Sequence, residues 1–361
     1  MTDLDLNQIL ANINPLDNTF LKKARERTAQ LVMPTRALGR LHDISERLCA
    51  INATLTPSTS KKAILIMAGD HGVTAESVSA YPQEVTGAMV QTFLAGGAAI
   101  NALARQVGAD VRVVDMGIIP ELSPDTTNNA RRLIVCKIAP GTANLATSPA
   151  MTRSQAENAI ITGFEKASEL FDAGLDLLGT GDMGIGNTAP SAAIGAVLTD
   201  TSLDKMVGRG TGVDNAGLEL KKTIIKKGIA VNRPNQTDGL DVLAKVGGFE
   251  IGGIAGCFLA GAYHRKPVIV DGFISTAGAL VAQALCPIVT DYLFSGHCSA
   301  EAGHRAMLRH LKLEPIFDLG MRLGEGTGAA LAMGVLDAAV SVFKEVMTFD
   351  EAGVPGKDVD G

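Results

Sequence analysis

Leu175-Asp176-Leu177-Leu178-Gly179-Thr180-Gly181-Asp182-Met183-Gly184-Ile185-Gly186-Asn187-Thr188 starts apolar, then gathers glycines, one carboxylate and small polar side chains. The Ala/Ile-rich stretch 189–198 follows at once. This pattern predicts a strand over 175–178, a loop over 179–188 and a helix behind it. In that arrangement backbone N–H groups at the helix start point outward, where phosphate or a nucleotide is held. A second acid loop of the same make, Gly324-Glu325-Gly326-Thr327-Gly328, opens another helix far downstream. Two glycine-lined helix starts, each carrying an acid, suggest an enzyme acting on a phosphorylated small molecule.

Outward from this stretch, short aliphatic runs alternate with longer helical patterns. Strands are predicted at 63–68, 111–115, 133–136 and 267–270, and helices at 82–106, 154–173, 215–226 and 275–285, with a polar loop at 124–129. The alternation implies parallel βαβ units, and so an α/β fold: a doubly wound, mostly parallel sheet with helices on both faces. Ligands of such sheets bind outside the carboxyl ends of the strands. Gly69-Asp70-His71-Gly72, residues 179–186 and Asp271-Gly272 all fall at those ends. The first fifty residues read as helices at 5–14, 19–32 and 37–50, followed by a Ser/Thr/Pro linker at 56–62. The last long helix, 328–347, would join them. The expected organisation is a small helical domain of residues 1–58 with 326–350, a large α/β domain of 59–325, and a flexible tail at 351–361.

Composition sets the class. Of 361 residues 46% are hydrophobic, and a mean hydropathy of +0.21 supports a sizeable core. Aromatics are only 4% with no Trp, so aliphatic side chains fill the interior, as parallel sheets covered on both faces require. A net charge of −6 without a basic block argues against nucleic acid as partner. An anionic ligand would be captured by local geometry. The five cysteines (Cys49, Cys136, Cys257, Cys286, Cys298) are widely spaced without CxxC and read as reduced thiols. The first residues lack the basic and apolar regions of a signal peptide, and 251–263 is too short to cross a bilayer. The expectation is a cytoplasmic protein without membrane insertion.

Residues 179–184 formally match G-x-G-x-x-G. A dinucleotide site also wants an acid about 20 residues on, at the end of a second strand. Asp200 and Asp204 lie near that spacing but directly follow a helix. A mononucleotide or pentose-phosphate loop is the better reading; an NAD-dependent oxidoreductase and a non-catalytic nucleotide sensor are the alternatives. Gly208-Arg209-Gly210-Thr211-Gly212-Val213-Asp214 is a third glycine turn before a helix, with Thr211 offering a hydroxyl and Arg209, Lys221 or Lys222 a charge. Glu325, between two glycines, suits a partly desolvated general base with a raised pKa. His297-Cys298 and His304 lack further ligands at metal spacing, so neither metal nor cofactor is called for. Asp70-His71 reads equally well as an acid/base pair or a hydrogen-bonded turn.

Six motifs occur in order: Gly69-Asp70-His71-Gly72-Val73, Tyr81-Pro82-Gln83-Glu84-Val85-Thr86, Gly184-Ile185-Gly186-Asn187-Thr188, Gly210-Thr211-Gly212-Val213-Asp214, Asp271-Gly272-Phe273 and Gly324-Glu325-Gly326-Thr327-Gly328-Ala329-Ala330. Together they closely resemble the nicotinate-nucleotide:dimethylbenzimidazole phosphoribosyltransferases of cobalamin lower-ligand assembly, across essentially the whole chain. The resemblance implies transfer of 5-phosphoribosyl from nicotinate mononucleotide to 5,6-dimethylbenzimidazole, giving nicotinate and α-ribazole 5′-phosphate with inversion at the anomeric carbon. It implies no metal, two small-molecule substrates and a homodimer. The family's catalytic glutamate falls on Glu325. Its second glutamate, before the Gly-x-Gly-Asn-Thr loop, is Asp182 here, one methylene shorter; contact with ribose, contact with base, or bracing of the loop all stay open. The resemblance further assigns substrate contacts to Tyr81, Pro82 and Gln83 (the benzimidazole wall), to Gly184, Gly186, Asn187 and Thr188, to Gly210, Thr211, Gly212, Asp214 and Lys221 (the phosphate region), and to Asp271.

Overall fold

Seven strands form one sheet in a computed structural model that describes residues 4–122 and 132–355. In chain order they are β1 (Lys62–Gly69), β2 (Ala109–Gly117), β3 (Leu133–Val135), β4 (Leu177–Met183), β5 (Val268–Val270), β6 (Leu293–His297) and β7 (Pro315–Phe317). Their spatial order is β3-β2-β1-β4-β5-β6-β7 and every pairing is parallel. The chain therefore winds outward one way from β1 and the other way from β4. The crevice above the β1–β4 pair, where Met67 stands beside Asp182, is the topological switch point at which such sheets bind ligands.

Aliphatic side chains make the core, as the low aromatic content required. β1 is buried from Ala63 to Gly69, and helix Phe249–Tyr263 is buried on every side as far as Ala262. Helix Thr327–Glu345 packs its first half on β4 and β6 and carries Phe343 into a separate small core with Ala24 and Cys49. Helices Asn18–Gln30 and Arg40–Asn52 complete that helical unit, and an antiparallel bridge between Leu31 and Thr348 ties the two ends of the chain together. A single helix thus belongs to both the sheet and the helical unit.

Four differences from the sequence reading have physical causes. The predicted strand 175–178 is displaced and longer, so Gly179, Thr180, Gly181 and Asp182 lie inside β4 instead of in a loop. β6 and β7 were not anticipated: both are short, and β6 turns polar in Ser295-Gly296-His297, so neither reads as an aliphatic run. The predicted helix 82–106 is two helices, Val85–Ala95 and Ala99–Val107, broken where Gly96 takes a left-handed φ of 77°. Residues 215–226 extend to a helix ending at Asn232. The predicted loop 124–129 lies outside the described residues, as do residues 356–361 of the tail, whose start forms the short helix Phe349–Ala352.

Candidate active site

Loops from the carboxyl ends of β1, β4, β5, β6 and β7 enclose a cavity of about 330 Å³ at the switch point. Six residues singled out from the sequence line it: Tyr81, Asp182, Asn187, Thr188, Gly210 and Thr211. Gly324, beside Glu325, completes one wall. A larger opening of about 520 Å³ near Met151 and Phe249 is mostly apolar and holds none of these residues. Chemistry, not size, selects the site.

Asp182 brings β4 into the cavity lining, and Gly181 before it carries the acid loop. A Cβ on Gly181 would stand 2.6 Å from the carbonyl oxygen of Glu325, so only glycine lets the acid loop rest on the strand. That loop is a run of three left-handed residues, Gly324 (φ 81°), Glu325 (φ 63°) and Gly326 (φ 90°). Holding a non-glycine residue there costs on the order of 1–3 kcal/mol, and the surrounding structure must enforce it. Asp271 does so from the end of β5. Its Oδ2 accepts from Gly326 N (3.2 Å) and its Oδ1 from Ala329 N (2.9 Å), capping helix Thr327–Glu345. Burial pushes the Asp271 carboxyl up to about 7 against the pull of these backbone donors. Asp271, assigned to substrate by resemblance, is fully buried and committed to the loop; Gly272 beside it reaches the cavity wall.

Glu325 is 6% exposed, and its Oε2 accepts from Ile100 N at 3.4 Å, at the start of helix Ala99–Val107. The unforeseen break at Gly96 is what aims this helix start at the acid. Burial raises the Glu325 pKa, partly opposed by that N–H. Asp182 Oδ2 accepts from Asn187 Nδ2 at 2.9 Å. Burial, then the neighbouring Asp271 carboxyl, hold Asp182 well above the usual carboxylate range.

At the opposite end, Lys221 Nζ donates to Thr188 Oγ1 (2.6 Å) and Gly208 O (3.4 Å). Burial pushes this ammonium down to about 8. Thr188 opens helix Thr188–Thr199, so its hydroxyl and the Lys221 cation meet at a helix start where Ala189 N and Ser191 N are already paired with Gly186 O and Asn187 O, leaving Thr188 N as the backbone donor. The remaining sequence candidates shape loops instead of lining the wall. Gly186 supplies a left-handed turn, Gly184 packs against His71, and Gln83 Oε1 accepts from Thr74 Oγ1. Pro82 accepts from Val85 N in the turn before helix Val85–Ala95, and Asp214 caps helix Asn215–Asn232, with Gly212 open beside it.

The structure also brings in residues the sequence reading did not assign to substrate: Phe273, His297, Ser299, Glu301, Arg322 and Leu323. Arg322 Nη1 donates to Gly210 O (2.9 Å), tying the acid loop to the phosphate end. Its only sequence signal was its place before Gly324-Glu325-Gly326. His304 uses both ring nitrogens, accepting from Ser299 N (2.7 Å) and meeting Thr276 Oγ1 (2.8 Å), so it is not free to bind a metal. His71 Nε2 lies 2.9 Å from Glu250 Oε1, both buried. Burial pulls the His71 imidazole down, but Glu250 outweighs it and its pKa is raised.

Comparison with known proteins identifies the family. Residues 13–354 match the phosphoribosyltransferase family DBI_PRT. The protein of Geobacter metallireducens named nicotinate-nucleotide–dimethylbenzimidazole phosphoribosyltransferase is 52% identical over 354 residues, 98% of this chain and 99% of its own length. The protein of that name from Roseiflexus sp. is 50% identical over 352 residues, 98% of each chain. Among solved structures, CobT from Thermus thermophilus superposes with a TM-score of 0.89 at 46% identity, over 94% of this chain and 100% of that one.

Proposed function

Because the chain belongs to the phosphoribosyltransferase family matched by residues 13–354, we propose that it moves 5-phosphoribosyl from nicotinate mononucleotide to 5,6-dimethylbenzimidazole. The products are nicotinate and α-ribazole 5′-phosphate, with inversion at the anomeric carbon. The observation that carries this reading is one cavity walled by Thr188 and Gly210, with the buried Lys221 behind them, and by Gly324, whose neighbour Glu325 is a buried carboxylate of raised pKa just behind the wall. The names of close relatives support the same substrates.

The chemistry follows from that placement. Thr188, the Gly210 loop and Lys221 hold the 5′-phosphate and so fix the ribose. The bond from the anomeric carbon to nicotinate breaks with its electron pair going to the ring nitrogen, which loses its positive charge. A pyridinium is already a good leaving group, so the step asks for no Lewis acid. One benzimidazole nitrogen attacks from the opposite face. The proton on the other nitrogen passes to Glu325, whose partial desolvation makes it a stronger base than an exposed glutamate. Tyr81, 55% exposed at the mouth, offers a face against which the planar acceptor stacks.

The dinucleotide alternative loses its physical basis, because Gly179 and Gly181 are strand residues that admit Ile64, Ala329 and the Glu325 loop, not turn residues that admit a pyrophosphate. A silent sensor would need phosphate grip but no strained glutamate. We further read the protein as a cytoplasmic homodimer: the family resemblance implies the dimer, and its five free cysteines fit a reducing compartment. Purified protein is to be incubated with both substrates, and products followed by liquid chromatography and mass spectrometry. Nicotinate appearing in step with α-ribazole phosphate confirms the reaction. Bound nucleotide without either product refutes the proposed acceptor.

A further inference from the structure

Glu301 stands in the wall of this same cavity without a function in the mechanism above. It is 7% exposed, and its Oε2 is enclosed without any hydrogen-bond partner. The carboxylate presses against the phosphate loop so closely that a Cβ on Gly208 would fall 2.0 Å from Oε2. Among the described residues no cation stands within ion-pair distance of it; nearby Lys221, whose charge it helps to stabilise, donates to Thr188 and Gly208. Glu301 N donates to Ser299 Oγ (3.3 Å), and Ser299, also in the wall, has its backbone N–H fixed by His304.

An ionised carboxylate accepts hydrogen bonds and donates none. Leaving one buried and unpartnered is costly, so its site calls for a ligand that brings donors. The phosphoribosyl group carries two kinds of polar handle. Its phosphate oxygens are acceptors and negatively charged, and a carboxylate repels them. Its ring hydroxyls are the only donors, and they lie between phosphate and anomeric carbon. Glu301 lies against Gly208 and close enough to Lys221 to stabilise its charge, and it shares the cavity wall with Asp182 and Gly324. We propose that Glu301, assisted by the Ser299 hydroxyl, binds the ribose cis-diol and makes the enzyme select ribonucleotides over their deoxy analogues. This rests on the phosphoribosyl-transfer reading given above.

The test compares nicotinate mononucleotide with its 2′-deoxy and 3′-deoxy analogues, each with dimethylbenzimidazole, in wild type, Glu301→Gln and Glu301→Ala. A site built around a substrate hydroxyl discriminates strongly against an analogue lacking it, by about 10⁴-fold in favourable cases. Wild type should therefore prefer the ribonucleotide by at least about 100-fold in kcat/KM for one of the two analogues. Glu301→Ala should lower the ribonucleotide value and leave the deoxy value nearly unchanged, collapsing the ratio, with Glu301→Gln between them. Dividing the wild-type ratio by the variant's ratio cancels the intrinsic reactivity of the deoxy sugars. Equal losses for all three substrates would overturn the proposal and make Glu301 a support for the phosphate loop. No transfer from the ribonucleotide by wild type would instead refute the reaction itself. A thermal melt of each variant separates misfolding from both.

Discussion

Gly179 and Gly181 sit two residues apart on β4, so the same one-carbon insertion at each meets a different neighbour. A Cβ at Gly181 would lie 2.6 Å from Glu325 O, 2.8 Å from Glu325 C and 3.0 Å from Gly326 N, all backbone. The acid loop must retreat by about 0.8 Å to restore an ordinary contact, and a 1 Å misplacement of a reacting group can cost about 10²-fold. A Cβ at Gly179 would lie 2.4 Å from Ile64 Cδ1 and 3.1 Å from both Ala329 Cβ and Met333 Cε. Two of these are the ends of flexible side chains that can turn aside. Overpacking costs typically about 1–3 kcal/mol in either case. Neither glycine has a positive φ, so alanine brings no backbone strain of its own.

Gly181→Ala is therefore expected to lower kcat by about 30–100-fold with nucleotide affinity nearly intact, because Thr188 and Lys221 are untouched. Gly179→Ala should lose comparable stability yet keep kcat within about threefold. Steady-state rates with both substrates, calorimetric nucleotide titration and urea unfolding measure the three quantities. If Gly179→Ala loses as much turnover as Gly181→Ala, the effect travels through general packing and the reasoning fails. Full activity in Gly181→Ala would show that β4 does not set the position of Glu325.

Glu325→Gln should leave nucleotide binding unchanged while turnover falls by about 10²–10⁴-fold; equal loss of binding and turnover would remove it as the base. In wild type the base must be ionised, so kcat falls as pH falls through the raised pKa of Glu325, and a pH–rate profile lacking that acidic limb counts against the assignment. Lys221, at about 8 in the free protein, must be charged to hold a phosphate, so nucleotide affinity should drop by up to about tenfold per pH unit above 8, with proton uptake on binding seen by calorimetry in buffers of different ionisation enthalpy. Because that folded value lies below the unfolded 10.5, the free protein should gain stability as pH rises from about 8 towards 10.5; a flat profile there would show Lys221 unperturbed. Burial and Asp271 favour the protonated form of Asp182, so Asp182→Asn should keep kcat within about tenfold, whereas Asp182→Ala, which frees Asn187, loses more. The reverse order would mean that the reaction needs Asp182 ionised.

The sheet was legible where aliphatic side chains are buried on both faces: β1, β2, β3 and β5 stand close to where their runs placed them. It was illegible where strands carry the site. β4 continues through Gly-Thr-Gly-Asp, residues of poor strand propensity, because β1 and β5 pair with it on both sides and the acid loop packs where a side chain would be. A window of sequence sees the propensity and not the neighbours. The same blindness joined helices Val85–Ala95 and Ala99–Val107, although the two glycines between them were in plain view.

Site residues divide along a similar line. Three acids beside glycines, Asp182, Asp271 and Glu325, look alike in sequence, and all three end up buried around one crevice. What separates them is the number of partners that tertiary structure supplies. Asp271 is held through both oxygens by backbone N–H groups 55 and 58 residues away. Asp182 is held by an amide five residues on, and burial, then its like-charged neighbours, favour its neutral form. Glu325 has one long bond of 3.4 Å and a backbone held at a left-handed φ of 63°. A proton acceptor must have a lone pair left for the proton, in a place where its charge is poorly solvated. Only Glu325 meets both conditions. The pairings that leave it free join the end of β5 to helix Thr327–Glu345 and the acid loop to the helix starting at Ala99, and no local pattern encodes contacts of that range.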